Sequence, residues 1–212
     1  LANLRAEVSQ IAGFSVILNR KTDEQSLSFT QRPDLDRISQ QGPATPDHVI
    51  RTKRLPQIGR DVQAYAQAYQ TYFNTESAKA KDPKTILDKA PRVILDPELG
   101  LCTVGQTAKS AAIVADIYQH TIEIIERATV LGGYQALSAT DIFEVEYWDL
   151  EQAKLRTGGT PPMFTGEIAL VTGAASGIGK ACVESLLKRG AAVIALDIQP
   201  EIETLHKRAD FC

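Results

Sequence analysis

Gly173, Gly177 and Gly179 stand in the run ALVTGAASGIGKA, between an all-apolar strand pattern and a helical one. Glycines placed there let a strand turn sharply, let the backbone approach a pyrophosphate with no Cβ in the way, and let the following helix sit close to its sheet. The free N–H groups and positive dipole end of that helix then face the phosphates. Ser176 adds a hydroxyl donor beside them.

Asp197 closes the next apolar run, AAVIAL, near the spacing of about 20 residues at which an acid meets the hydroxyls of an adenine ribose. A carboxylate at that place repels a 2′-phosphate, which favours NAD over NADP. A glycine trio alone fits many tight turns. Strand, glycines, helix, second strand and closing acid in register point to a dinucleotide site.

Other reactive side chains are scattered. His48 lies with Arg51, Lys53 and Arg54 between prolines, and reads either as an anion pocket for a sugar phosphate or as a solvated loop. His120 falls among the apolar residues of a long helix, where a packing role outweighs a ligand role because no partners stand at metal spacing. Tyr65, Tyr69, Tyr72 and Phe73 recur at helical steps and read as core, with no basic interleaving for base stacking. Tyr147 and Trp148 read as an anchor on the first lobe or as a domain contact. Cys182 has no base near it in sequence and reads as a small packing residue.

The elements that position these groups follow from the apolar periods. A helix spans Leu1 to Ile11, and a short strand begins at Phe14. Prolines at 33, 43, 46 and 56 break the next stretch into short helices near Leu27 and Leu35 and a short strand near Val49. A helix lies within Arg60–Lys81, a β-rich run within Pro91–Gly105, and a long amphipathic helix within Thr107–Leu131, stopped by Gly132-Gly133. Ser138 and Asp141 suggest a capping box for a segment running toward Leu155. TGGTPP, Thr157–Pro162, is the best boundary. It is followed by a βαβ unit: strand Ile168–Thr172, helix from Gly177 to about Arg189, and strand Ala192–Leu196. The expected division is 1–157, a linker at 158–164, and 165–212, with an α/β fold throughout.

Composition narrows the classes. A hydrophobic share of 43% supplies a core, while a net charge of -3 gives no attraction for nucleic acid or an anionic membrane. No apolar stretch is long enough to span a bilayer. Three separated cysteines, Cys102, Cys182 and Cys212, suggest reduced thiols and a cytoplasmic protein. The opening LANLRAEVSQ lacks an initiator Met, and an internal piece of a longer protein is expected.

The pattern Thr172-Gly173-x-x-x-Gly177-Ile178-Gly179 with Asp197 resembles the short-chain dehydrogenase/reductase family over the last fifty or so residues. The resemblance implies that Gly173, Ser176, Gly177, Ile178 and Gly179 line the cofactor phosphates, and that Asp197 and Ile198 line the adenosine half. The family's catalytic Ser and YxxxK pair would lie further along, so no catalytic residue is assigned within the 212.

A second resemblance covers the first 156 residues. The runs QQGPATPDHVIRTKRLP, PRVILDPELGLCTVGQTAKSAAIVADIYQHTIEII and GGYQALSATDIFEVEYWDLEQAKL are similar to the class II aldolase/adducin-like region of proteins that fuse an aldolase to a short-chain dehydrogenase, the rhamnulose-1-phosphate aldolase/alcohol dehydrogenase type. The implied fold is an aldolase/adducin-like α/β lobe followed by the first βαβ of a doubly wound Rossmann-type domain. The fusion implies rhamnose metabolism, a small sugar-derived alcohol or aldehyde as substrate, NAD in the intact protein, and a homo-oligomer. Class II aldolases hold zinc with three His, the third in an NHG turn. Here the corresponding turn reads Glu98-Leu99-Gly100, and no HxH pair is present, so zinc is expected only with residues upstream of Leu1. Two other classes stay open: a metal-dependent aldolase acting through those upstream residues, and a non-catalytic adducin-like scaffold.

Overall fold

In a computed structural model, residues 1–156 and 159–204 are described. The first lobe runs α1 Ala2–Ala12, β1 Ile17–Lys21, α2 Glu24–Thr30, α3 Leu35–Ser39, α4 Val49–Thr52, β2 Gln57–Ile58, α5 Val62–Ser77, β3 Val93–Asp96, β4 Gly100–Gly105, α6 Ala108–Val130, α7 Ala139–Glu146 and α8 Asp149–Arg156. Its four strands order as β1-β4-β3-β2, antiparallel except for the parallel β2–β3 pair.

Strand alternation builds this lobe. Val93, Leu95 and Leu101 face one way, onto Val114, Tyr118, Ile122 and Ile125 of α6 and Phe29 of α2. Ile94, Cys102 and Val104 face the other way, onto Leu4 and Val8 of α1 and Val62 of α5. Each residue of β3 is buried, as a strand covered on both faces requires. The helices start where short polar side chains can take their orphan N–H groups. Asp23 caps α2, Asp61 caps α5, and Thr107 with Ser110 forms a reciprocal capping box on α6.

Several expectations shift. The segment at Val49 is helical rather than a strand, because a 3-10 turn at Pro46–His48 runs straight into α4. The helix after Ser138 is broken in two at Tyr147-Trp148. Ser138 accepts the Asp141 N–H, which caps α7, and Asp141 returns no bond to the Ser138 backbone. The strand expected from Phe14 begins at Ile17, because pairing with β4 starts there, opposite Gly105, while the Val16 N–H is taken by Ser9 Oγ of α1.

The second unit comprises β5 Ile168–Thr172, α9 Gly177–Lys188 and β6 Ala192–Leu196, with β5 and β6 parallel. A 3-10 turn at Pro200–Thr204 follows. Of the expected linker, Thr157 and Gly158 lie outside the described residues, as do His206 and Cys212. The unit is bracketed to the first lobe at its entry. Arg5 donates from Nε to Val16 O and from Nη2 to Gly166 O, both at 2.7 Å, and Ser15 Oγ donates to Glu167 Oε1 at 2.7 Å. Gly166, at φ 83, is forced there, because a Cβ would meet Ser15 O at 1.9 Å.

Candidate nucleotide site

The loop between β5 and α9 carries the expected glycines, and each has a separate physical need. Gly173 and Gly177 take φ 65 and 51, and a Cβ on either would point into open space. Gly179 packs: a Cβ there would lie 2.0 Å from Gly173 O, so the first turn of α9 can press against the end of the strand only with glycine. The first turn's N–H groups, at Gly177, Ile178 and Gly179, have no acceptor among the described residues, and Lys180 N makes the first helical bond, to Ser176 O. Ser176 occupies the N-cap without using its hydroxyl on the helix. The cradle presents free donors, an unused hydroxyl and open space, which fits a pyrophosphate.

Asp197 sits at the carboxyl end of β6, beside this loop. Its Oδ2 accepts the Ala175 N–H at 2.8 Å and its Oδ1 accepts the Gln199 N–H at 3.0 Å. These backbone donors hold the carboxyl below its ordinary range, so it is charged at neutral pH. The acid therefore ties the glycine loop to β6 while each oxygen keeps an outward lone pair. Ile178 and Ile198 are 85% and 100% exposed, so packing explains neither. Cys182 is exposed on α9, not packed; Val183 is the buried residue of that turn.

The family described as "Aldolase class II, second domain" matches residues 1–155, and the family "short chain dehydrogenase" matches residues 167–210. The chain belongs to the class II aldolase second-domain family. A curated relative, the uncharacterized oxidoreductase YuxG of Bacillus subtilis (strain 168), is 30% identical over 203 residues. That alignment covers 88% of this chain, and the chain spans 29% of the relative's length. No solved structure matches the chain. The class II aldolase second domain is thus joined here to a short-chain dehydrogenase segment whose βαβ matches the start of a Rossmann-like domain, and that segment implies a nicotinamide cofactor.

In this class II aldolase second domain the residues do not fit zinc. Leu99 offers no ligand atom, and the turn around it is held by ion pairs instead. Asp96 Oδ1 accepts the N–H groups of Glu98 and Leu99 at 2.9 Å, and Arg60 grips both Asp96 oxygens at 2.7 and 2.9 Å while also reaching Glu98. Among the described residues no three of His, Cys, Asp or Glu stand together as a metal site. His120 is exposed on α6 rather than packed, and His48 is half-buried.

The domain holds one cluster that sequence reasoning missed. Lys53 is 4% exposed, with its Nζ donating to Asp88 O at 2.7 Å and lying 4.1 Å above the Tyr69 ring. Burial, then the Arg92 charge, pushes its ammonium down to about 8. Glu146, with no exposed surface, accepts the Tyr69 hydroxyl at 2.8 Å, and burial pushes its carboxyl up. The aromatic stripe of α5 packs here against Phe143 and Tyr147, so Tyr147 is an anchor, while Trp148 stays 54% exposed. Lys53 and Glu146 look like surface charges in sequence, because their neighbours are charged too. Only α4, α5 and α7 meeting shows them to be buried.

Proposed function

We propose that the whole protein is an NAD-dependent oxidoreductase acting on a small sugar-derived alcohol or aldehyde, with this chain supplying the adenosine side of the cofactor site. The observation that carries the reading is the open cradle at Gly173–Gly179 with Asp197 charged at its edge. The N–H groups of Gly177, Ile178 and Gly179 would hold the pyrophosphate, and the Ser176 hydroxyl would add a donor. Asp197 would accept from the adenine ribose hydroxyls, and Ile178 and Ile198 would cover the adenosine. NAD, when bound, supplies the ring that takes or gives a hydride. Asp197 rejects a 2′-phosphate by like charge, while its bonds to Ala175 and Gln199 keep the loop in binding shape.

No residue of this chain is assigned to hydride or proton transfer. The substrate class rests on the fusion of an aldolase-family lobe to a dehydrogenase segment. A cytoplasmic homo-oligomer is part of the same reading. Titration of the whole protein with NAD and NADP, followed by calorimetry, tests it. NAD should bind more tightly, and Asp197→Asn should weaken NAD by about tenfold while narrowing the gap to NADP. Tighter binding of NADP by the unaltered protein would overturn it.

A further inference from the structure

Tyr65, Ala68, Tyr69 and Tyr72 recur at steps of three and four along α5 and so share one face of it. That face, with Leu55, Arg54 and Gln40, encloses a cavity of about 110 Å³ between α5 and the segment that joins α4 to β2. Two bonds hold that segment in place. The Tyr65 hydroxyl donates to Leu55 O at 3.0 Å, and Gln40 Nε2 donates to Pro56 O at 2.9 Å. Ala68 is exposed, so the cavity opens beside it.

Arg54 is the charged group of this wall. Its guanidinium lies 5.2 Å from the centre of the Tyr72 ring and makes no hydrogen bond or ion pair among the described residues. Its Nε is buried, which leaves a desolvated donor without an acceptor, an arrangement that costs free energy. Acids do stand near, and the Arg54 charge acts on both Glu76 and Glu146. Each answers first to another cation. Lys79 Nζ donates to both Glu76 oxygens at 2.9 Å, and the Lys53 charge acts on Glu146 more strongly than that of Arg54. Asp88 acts on Lys53 as well and is gripped by Arg92. Lys53, Arg54, Lys79 and Arg92 thus meet Glu76, Asp88 and Glu146, four cations against three carboxylates. One positive charge is left over with every acid ionised, and protonation of Glu146, the acid that burial pushes up, adds to it.

The backbone divides the basic cluster seen in the sequence. α4 ends at Lys53 with φ 63, the one positive value among the described non-glycine residues. Arg51 and Lys53 line a larger cavity with Asp88 and Arg92, Arg54 lines the tyrosine cavity, and His48 lines neither. The two cavities have no lining residue in common. We propose that the tyrosine cavity binds a short-chain monocarboxylate, with its two oxygens on the Arg54 guanidinium and its carbon chain against Leu55 and the tyrosine rings. A guanidinium offers parallel N–H donors that match a carboxylate, and it stacks on aromatic faces while doing so. One surplus charge suits a monoanion and falls short of the charge of about −1.5 to −2 on a phosphomonoester. Since a cavity of about 150 Å³ accommodates benzene, 110 Å³ leaves room for about four or five heavy atoms. The site is separate from the glycine cradle and does not rest on the nucleotide reading.

Saturation-transfer NMR on the whole protein, with propionate as the probe, tests the site. Irradiating the aromatic resonances should pass saturation to the propionate methyl, because tyrosine rings form the wall. Propionamide has the same shape without the charge and should bind about tenfold more weakly, and inorganic phosphate should not displace propionate. Arg54→Gln should weaken propionate by about tenfold. Ala68→Leu, at an exposed helix position that spares the fold, should narrow the mouth and weaken propionate by a similar factor with the charge still in place. Equal binding of propionate and propionamide, displacement of propionate by phosphate, or affinity unchanged in either variant would each overturn the proposal.

Discussion

The two parallel strand pairs of this protein are built from similar residues and meet opposite fates. VILD in β3, parallel to β2, is buried at each position, whereas IALVT in β5, parallel to β6, alternates between exposed and half-buried. Ile94 and Leu95 have no exposed surface, while Leu170 and Leu196 are 64% and 50% exposed. A parallel sheet is stable when helices or other layers cover both faces. In the first lobe α1 and α5 cover one face and α6 the other. In the second unit, among the described residues, α9 covers one face alone, through Val183 against Ala191 and Val193. Apolar strand composition specifies a sheet; whether the sheet becomes a core depends on how many layers reach it.

The largest test of that contrast is truncation in the strands. Leu95→Ala should cost about 2–5 kcal/mol in urea unfolding, and Leu170→Ala less than about 1 kcal/mol, because one removes buried methyl groups and the other wetted ones. Equal costs would show that the open face of β5 is covered in solution. Next in size is Gly179→Ala. Its Cβ would press on Gly173 O, so the glycine loop should be displaced at a cost of about 1–3 kcal/mol, with NAD binding lost and the first lobe's unfolding midpoint unchanged.

Arg5→Ala sharpens the comparison at the joint. It removes the bond to Gly166 O, and amide exchange across residues 168–196 should quicken by about tenfold while α6 is unaffected. Uniformly slow exchange through Leu196 in a monomer of the variant would show that the bracket is not what holds the unit.

Acid should act chiefly on the first lobe. The Arg60 hydrogen bonds hold the Asp96 carboxyl below its ordinary value, so its contribution is complete above about pH 4 and is lost as pH falls through the depressed value. Thermal melts from neutral to acid pH should show this loss, and Arg60→Ala should reduce it. The smallest effect belongs to Ile198→Ala. The side chain is fully exposed, so the melting temperature should not move, although NAD binding should weaken if the residue covers adenosine.

Much of the architecture was legible because it depends on local order. The helix at Ala108–Val130 has an apolar stripe at helical spacing, a Thr cap before it and two glycines after it, and it forms within a residue of each expected end. The βαβ was legible for the same reason. The Val49 segment was not, because β-branched residues favour strands in general while a preceding Pro46 turn favours helix here. Cys182 and His120 lie among apolar neighbours in sequence, but the helix rotates both outward, away from the buried stripe.

Sequence alone determined the glycine cradle, since glycine is needed wherever a backbone must take positive φ or approach another backbone, and that need is met or lost one residue at a time. It also determined the acid at the end of the second strand and the mixed α/β order. Tertiary structure decided which charges are buried. Arg51 with Lys53 and Asp88 with Arg92 are two ordinary local pairs some 35 residues apart, and they become one electropositive cavity only when α4, the segment before β3 and the β4–α6 turn converge. Burial and Coulomb energy depend on distance in space, which residue order leaves open until the layers pack.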